Sequence, residues 1–272
     1  QTLYEYAYRR FHKDEFGKDY RAINVKQDVD LYGDRLLLGA LLTFYEKQRF
    51  FDATPEAAST FNEAPPLMTF VSARVTGGPE LVGVLQFLDR VLQDGTGATE
   101  GIAALLRGES GLPGPDGRDV FSVAFPYLRG LGLAAADVYA DLCARLFYGH
   151  GRLVLVPLAD APGEIGLRTA DAAKDRFFGV INVGDPGKLA KKVAQETAIS
   201  VSAETPFTGS LFESGGEDTS PLRFLIGSKK FTEGWSTPRV SVMGLMSVGS
   251  SAGAQVLQLF GRGVRGSGGG ED

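Results

Sequence analysis

Short apolar segments alternate with helical patterns along most of this chain, and that alternation constrains the fold more than any other feature. Buried-strand patterns occur at residues 67–75, 152–158, 177–185, 222–228 and 240–248, and helix patterns separate most of them. A strand, a helix and a second strand in succession ordinarily form a parallel pair with a crossover connection. The chain is therefore predicted to be an α/β protein with a mostly parallel sheet flanked by helices.

Interruptions of this pattern predict the domain organisation. Residues 31–51 carry apolar side chains at helical spacing, and the polar segment "DATPEAASTFNEAPP" follows them. We therefore expect a helical lead-in and linker over residues 1–64 and a main domain over residues 65–272. A glycine- and proline-rich stretch, a helix and a β-hairpin predict an insertion over residues 93–170. The chain opens without methionine and closes on "GSGGGED", which is typical of a piece of a longer protein.

The composition excludes several classes of protein. Apolar residues make up 43% of the chain and charged residues 22%, as in soluble globular proteins and unlike disordered or collagen-like chains. No apolar run is long enough to cross a membrane, and no signal peptide is recognisable. The single cysteine, Cys143, lies in a helix pattern, cannot form an internal disulfide and fits a cytoplasmic protein. We expect no membrane partner.

Residues 222–266 reverse the charge balance of the chain. The whole chain has a net charge of −5, yet this segment holds one acid, Glu233, and six basic residues: Arg223, Lys229, Lys230, Arg239, Arg262 and Arg265. Loops at the carboxyl ends of parallel strands form the ligand crevice of α/β proteins, and "GSKKFTEGWSTPRV" is expected at such an end. Arg262 and Arg265 are spaced for one helix face, and two guanidiniums there suit a polyphosphate.

These segments resemble two motifs of superfamily 2 helicases. "QLFGRGVR" resembles motif VI, Q-x-x-G-R-x-x-R, and "KKFTEGWSTPRV" resembles motif V, with one strand between them as in that family. More narrowly, "FLIGSKKFTEGWSTPRVSVMGLM", "FGVINVGD" and "GKDYRAINV" are similar to the restriction (helicase) subunit of type III restriction enzymes and to related DEAD/DEAH-like phage-defence helicases. The resemblance covers most of the chain, and motifs V and VI are its specific parts.

The resemblance implies an ATP-dependent DNA helicase or translocase whose motor is two RecA-like domains with ATP in the cleft between them. This chain has no G-x-x-x-x-G-K-[ST] and no D-E-x-[HD] sequence, so it resembles the second domain, preceded by a lead-in from the first. The implied cofactors are ATP and Mg²⁺, with the metal ligands in the first domain. The implied partners are DNA, that first domain, and a methyltransferase subunit if the parent is a type III restriction enzyme.

The resemblance also implies roles for individual residues on the nucleotide side. Arg262 and Arg265 match the arginine fingers of motif VI, which would act catalytically at the γ-phosphate. The remaining nucleotide-side residues belong to motif VI or to motif V, which couples nucleotide to nucleic acid. They are Gln258, Gly261, Thr232, Glu233 and Gly234.

A second set of residues would contact nucleic acid. "FVSARVTG" resembles motif IV, where Ser72, Arg74 and Thr76 would meet the sugar-phosphate backbone. The start of the motif V segment adds three further candidates, although a solvated surface position is the competing interpretation of its lysine pair. These candidates are Ser228, Lys229 and Lys230.

Two other functions fit parts of the sequence. One is a non-catalytic RecA-like module that binds nucleic acid, although the two arginines of motif VI argue against it because a pure binder needs no γ-phosphate contact. The other is an unrelated α/β nucleotide-using enzyme with a complete site of its own. The lack of both a P-loop and a G-x-G-x-x-G sequence argues against that enzyme.

Overall fold

A single mixed sheet organises the fold. The computed structural model describes residues 29–60, 63–72, 78–114, 116–204, 209–227 and 237–246. The strands in this part of the chain are β1 (Leu67–Ser72), β2 (Leu153–Pro157), β3 (Glu164–Thr169), β4 (Gly179–Asn182), β5 (Ser200–Val201), β6 (Phe224–Gly227) and β7 (Val240–Met246). They lie in the order β5-β2-β3-β4-β6-β1-β7.

Every described strand except β3 runs in the same direction. β1 lies between β6 and β7 and is parallel to both, and β4 is parallel to β6. β3 is antiparallel to β2 and to β4, so β2 and β3 form the predicted hairpin, and β5 pairs in parallel with β2. The predicted α/β fold with a mostly parallel sheet is confirmed, and this architecture is consistent with a RecA-like fold.

Local sequence signals set the ends of several helices. Proline occupies the first turn of the helices that begin at Pro79 and Pro186, where its missing N–H costs nothing. The Asp94 carboxylate caps another helix by accepting a hydrogen bond from the Gly97 N–H at 2.9 Å. The described helices are α1 (Val29–Ala53), α2 (Pro55–Thr60), α3 (Pro79–Gln93), α4 (Gly95–Arg107), α5 (Pro126–Leu131), α6 (Ala135–Phe147), α7 (Pro186–Glu196) and α8 (Leu211–Ser214).

The lead-in differs from its prediction in one detail. The predicted amphipathic helix is confirmed as α1, but the following segment, interpreted as a linker or surface loop, contains the short helix α2. Pro55 presets the backbone of the first turn, and the Ala58 N–H donates to the Thr54 carbonyl at 2.9 Å. A brief polar segment of this kind lacks the apolar periodicity by which helices are recognised from sequence.

Helices cover one face of the sheet and join the lead-in to it. Phe224 of β6 lies 5.4 Å, centroid to centroid, from both Phe44 of α1 and Phe147 of α6, and 5.6 Å from Phe178. These aromatic side chains are almost wholly buried and belong to one apolar core. Residues of the lead-in, the inserted region and the sheet therefore share a core, while the division into residues 1–64, 65–272 and an insertion at 93–170 stays a prediction.

The opposite face of the sheet has a smaller apolar cluster. Phe212 of α8 and Phe177 pack there against strand side chains such as Val71, Val180 and Leu225. Within the described ranges, no helix combines the length and apolar character needed to cross a membrane.

A polar network joins α1 to α6 beside the main core. The Asp141 carboxylate accepts hydrogen bonds from the Tyr45 hydroxyl at 2.7 Å and from Arg145 Nε at 2.8 Å, and it pairs with Arg49. Partial burial acts to raise the pKa of Asp141, but the hydrogen bonds and the two guanidiniums outweigh it and hold that pKa below its usual value. The charged form of Asp141 therefore stabilises the fold.

Replacing this carboxylate should destabilise the protein in a pH-dependent way. We expect Asp141→Asn to lower the free energy of unfolding by about 2 kcal/mol at neutral pH, because two guanidiniums lose their charged acceptor. Since the folded pKa is depressed, the deficit should be complete above about pH 5 and shrink as the pH falls through the folded pKa. Urea denaturation across this pH range measures it.

Asp34→Asn is the matched control. Asp34 also lies on α1 and pairs with Arg90 at 2.7 Å, but both side chains are more than half exposed. Its replacement should change the free energy of unfolding by less than about 0.5 kcal/mol. Equal losses in the two variants would contradict a stabilising role of the Asp141 network.

Candidate functional site

The carboxyl ends of β4, β6, β1 and β7 lie along one edge of the sheet, here called the carboxyl edge. Gly227, the last residue of β6, is opposite Val71 of β1 on one side and Asn182, the last residue of β4, on the other. Ser72 at the end of β1 is opposite Met246 at the end of β7. The segments that follow these strands therefore start side by side, as at the ligand crevices of other parallel sheets.

The predicted site residues follow these strand ends in the chain. Ser72, at the end of β1, is the predicted site residue whose backbone the structure describes, and the motif V segment begins directly after Gly227. The strand ends that lead into the motif IV and motif V segments are thus adjacent. The other predicted site residues fall outside the described residues: Arg74, Thr76, Ser228, Lys229, Lys230, Thr232, Glu233, Gly234, Gln258, Gly261, Arg262 and Arg265.

Two of the six basic residues of segment 222–266 lie at the edge of the sheet opposite the expected crevice. Arg239 immediately precedes β7 and Arg223 immediately precedes β6. Both strands are parallel to β1, so their first residues lie at the end where β1, β4, β6 and β7 begin, here called the amino edge. Arg239, which belongs to the predicted crevice segment "GSKKFTEGWSTPRV", therefore does not lie at the carboxyl edge, because a parallel strand separates the residues before it from the residues after it.

Arg239 is a structural residue that is fully buried. Its Nε donates to the Pro65 carbonyl at 3.0 Å. Its Nη1 donates to the backbone carbonyls of Gly215 at 2.7 Å and Glu217 at 2.9 Å. Nη2 donates to the Leu222 carbonyl at 2.9 Å. Burial, together with nearby Arg223, lowers the pKa of Arg239 to about 10, so the side chain remains a cation at neutral pH.

These bonds connect the starts of neighbouring strands. Pro65 precedes β1, Leu222 precedes β6 and Arg239 precedes β7, so one guanidinium joins the entrances of all three strands. The Thr237 hydroxyl adds a hydrogen bond to the Gly216 carbonyl at 2.8 Å. The carboxy-terminal end of the motif V segment is thereby fixed to the body of the fold.

Sequence reasoning missed a polar pair on the less covered face of the sheet. Glu164 at the start of β3 is opposite Asn182, and the Glu164 carboxylate accepts hydrogen bonds from the Ser210 hydroxyl at 2.6 Å and the Phe212 N–H at 3.1 Å. Asn182 is 7% exposed, and its Nδ2 has no hydrogen-bond partner in the part of the chain that the structure describes.

Among the described residues, the Asn182 amide is a new candidate for ligand contact at the carboxyl edge. A buried donor without an acceptor costs free energy, and such groups are frequent at functional sites. An amide N–H suits a phosphate or carbonyl oxygen. The sequence carried no signal for it, because asparagine in the apolar segment "FGVINVGD" is equally typical of a strand end.

Other candidate chemical groups are absent or inert in the described residues. Cys143 lies buried on α6 as predicted, and burial raises the pKa of its thiol to about 11, so it is a poor nucleophile. The described ranges contain no group of three or more His, Cys, Asp or Glu side chains arranged to hold a metal ion.

No protein-family model, curated protein or solved structure matches this chain. The functional proposal therefore rests on the motif resemblance together with the strand order and the geometry of the two edges.

Removing the Arg239 guanidinium should be severely destabilising. We expect Arg239→Met to lower the free energy of unfolding by about 3–5 kcal/mol, because the carbonyls of Pro65, Gly215, Glu217 and Leu222 lose their shared donor. Arg239→Lys should recover only part of the loss, since an ammonium cannot reproduce the planar, multi-donor geometry of the guanidinium. Arg118→Met, at an exposed loop position, is the control. Urea denaturation curves that coincide for the Arg239 and Arg118 variants would contradict this role.

Proposed function

We propose that the chain is the second motor domain of an ATP-dependent DNA helicase or translocase belonging to a restriction or phage-defence system. The observation that supports it best is the adjacency of Val71, Gly227 and Asn182 at the carboxyl edge, which starts the motif IV and motif V segments on neighbouring parallel strands. A motor that couples nucleotide to nucleic acid needs both segments at one edge. The mostly parallel sheet flanked by helices is compatible with this function.

Under this proposal the catalytic contribution of the chain is electrostatic. Arg262 and Arg265 stabilise the charge that develops on the transferring phosphoryl group, and Gln258 and Gly261 contact the nucleotide. The first RecA-like domain supplies the P-loop lysine and the Mg²⁺ ligands. ATP and Mg²⁺ are then the cofactors and the cytoplasm is the compartment.

The anchored residues at the amino edge have a place in this mechanism. The motif V segment follows Gly227 at the end of β6 and leads to Thr237 before β7. The Thr237 hydroxyl donates to the Gly216 carbonyl and accepts a hydrogen bond from the Arg239 N–H. Because the carboxy-terminal end of this segment is fixed, movement of nucleotide or nucleic acid against residues 228–236 is transmitted to β6 and β7. Thr232, Glu233 and Gly234 are the coupling residues in this proposal.

Alanine at either motif VI arginine should abolish most ATP turnover in the full parent protein. We expect Arg262→Ala and Arg265→Ala to reduce turnover by about 10³-fold, the usual scale for arginine fingers, while ATP affinity changes far less. Lysine should not restore activity, because it lacks the planar fork. DNA-stimulated phosphate release and nucleotide binding, measured side by side, test this.

Two results would overturn the assignment. Unchanged turnover in both variants would mean that the motif VI match has no catalytic meaning and would favour the non-catalytic nucleic-acid-binding module. Turnover by the present chain alone, with contaminating ATPases excluded, would instead favour a nucleotide-using enzyme with a complete site of its own.

Charge reversal at the basic residues that follow β1 and β6 in the chain should weaken DNA binding without changing sequence preference. For the triple variant Arg74→Glu, Lys229→Glu and Lys230→Glu, the slope of log affinity against log salt should flatten by about 0.7 per lost phosphate contact on single strands. Fluorescence anisotropy of a labelled oligonucleotide at several salt concentrations measures the slope. An unchanged slope would mean that the three side chains are solvated and do not contact phosphates.

A further inference from the structure

An aromatic ring at the amino edge is flanked by two arginines. Tyr148 follows α6, and the Arg176 guanidinium carbon lies 4.2 Å from the centroid of its ring. The Arg223 guanidinium carbon lies 5.9 Å from the same centroid. Both distances fall within the range of cation–π contacts, so one ring holds two positive charges close together.

The two guanidiniums have no anionic partner among the described residues. In the part of the chain that the structure describes, neither Arg176 nor Arg223 forms an ion pair with a carboxylate. The Arg223 Nε donates one long hydrogen bond, 3.4 Å, to the Arg145 carbonyl, and its terminal nitrogens remain available. Two forks with free donors are the groups that bind phosphate oxygens best.

A third positive charge, that of Arg239, lies near Arg223. The buried Arg239 is close enough to Arg223 for the two cations to repel, which contributes to the lowered pKa of Arg239, and exposed Asp218 opposes this effect only in part. Asp175 neighbours Arg176 in the chain without pairing with it. Arg176, Arg223 and Arg239 therefore place three positive charges at the amino edge, beside the acids Asp175 and Asp218.

The backbone conformation of Tyr148 independently supports a functional role for its ring. Tyr148 has φ 59°, in the left-handed region, at the position after α6 where glycine is strongly preferred. Its hydroxyl donates to the Pro221 carbonyl and so fixes the ring in place. The chain has an aromatic residue at a position whose left-handed backbone favours glycine. Residues in such disfavoured conformations are frequent at functional sites.

We propose that Arg176, Arg223 and Tyr148 form a phosphate-binding surface at the amino edge, distinct from the carboxyl edge. Its ligand is a phosphate oxyanion, carried by a nucleic-acid strand or free in solution. The bound anion relieves the repulsion between the guanidiniums and uses their free donors, while the ring holds them in position. The proposal stands on described contacts and does not depend on motifs V and VI.

The test compares a double variant with a control of equal charge. Arg176→Gln with Arg223→Gln removes both forks, and Arg107→Gln with Arg118→Gln removes two exposed arginines from the region around the end of α4. Binding of the full chain to fluorescein-labelled oligothymidine is followed by anisotropy over a salt series. In parallel, the thermal midpoint is measured in phosphate and in chloride at equal ionic strength.

We expect the site variant, but not the control, to bind the strand at least about 10-fold more weakly, with a salt slope flatter by about 1.4 for two lost contacts. The site variant could instead lose the phosphate-dependent rise in thermal midpoint while its binding to the strand is unchanged. The ligand would then be free phosphate, and the proposed phosphate-binding surface would still be supported.

Tyr148→Gly provides a second variant, because glycine suits the left-handed backbone while the ring is removed. It should also weaken anion binding, although both arginines remain. The proposal is overturned if wild-type protein binds neither probe, or if the site variant and the control behave alike with both probes.

Discussion

The buried guanidinium of Arg239 is the constraint on which the arrangement of the parallel strands depends. A charged side chain can be buried only when its donors are satisfied, and Arg239 meets this requirement with carbonyls that precede β1 and β6 and with the turn at residues 215–217. These partners must all be in place at once. The positions at which β6, β1 and β7 begin are thereby set together, and so are the residues with which they end at the carboxyl edge.

Parallel topology then separates the chemistry of the chain between two edges. Segments that follow β1 and β6 start at the carboxyl edge beside Asn182, whose amide N–H has no partner among the described residues, whereas Arg223 and Arg239 immediately precede their strands at the amino edge. A basic cluster that is continuous in sequence is therefore divided in space. The two edges can serve different ligands, a nucleotide with nucleic acid at one and a phosphate group at the other, as we propose.

The aromatic core gives this sheet its connection to the lead-in. Phe44 of α1 and Phe147 of α6 meet Phe224 on the same face, and the Asp141 network joins the same two helices through Tyr45 and Arg49. Apolar burial supplies most of the stabilisation, and the network fixes how the helices lie against each other. In the proposed motor, this contact would pass displacement of the lead-in directly to the sheet.

The sequence by itself determined the α/β class, the helices α1, α3, α6 and α7, the hairpin and a buried Cys143, because apolar periodicity and proline positions are local signals. It also placed Ser72 within the first strand and the motif V segment directly after another strand, while the roles of the motif residues still rest on resemblance. Only the tertiary structure decided that Arg239 is internal, that Glu164 caps α8 and that Arg176 and Arg223 share one tyrosine ring. Each of these depends on strand order and burial, which bring together residues far apart in the chain and which no local pattern records.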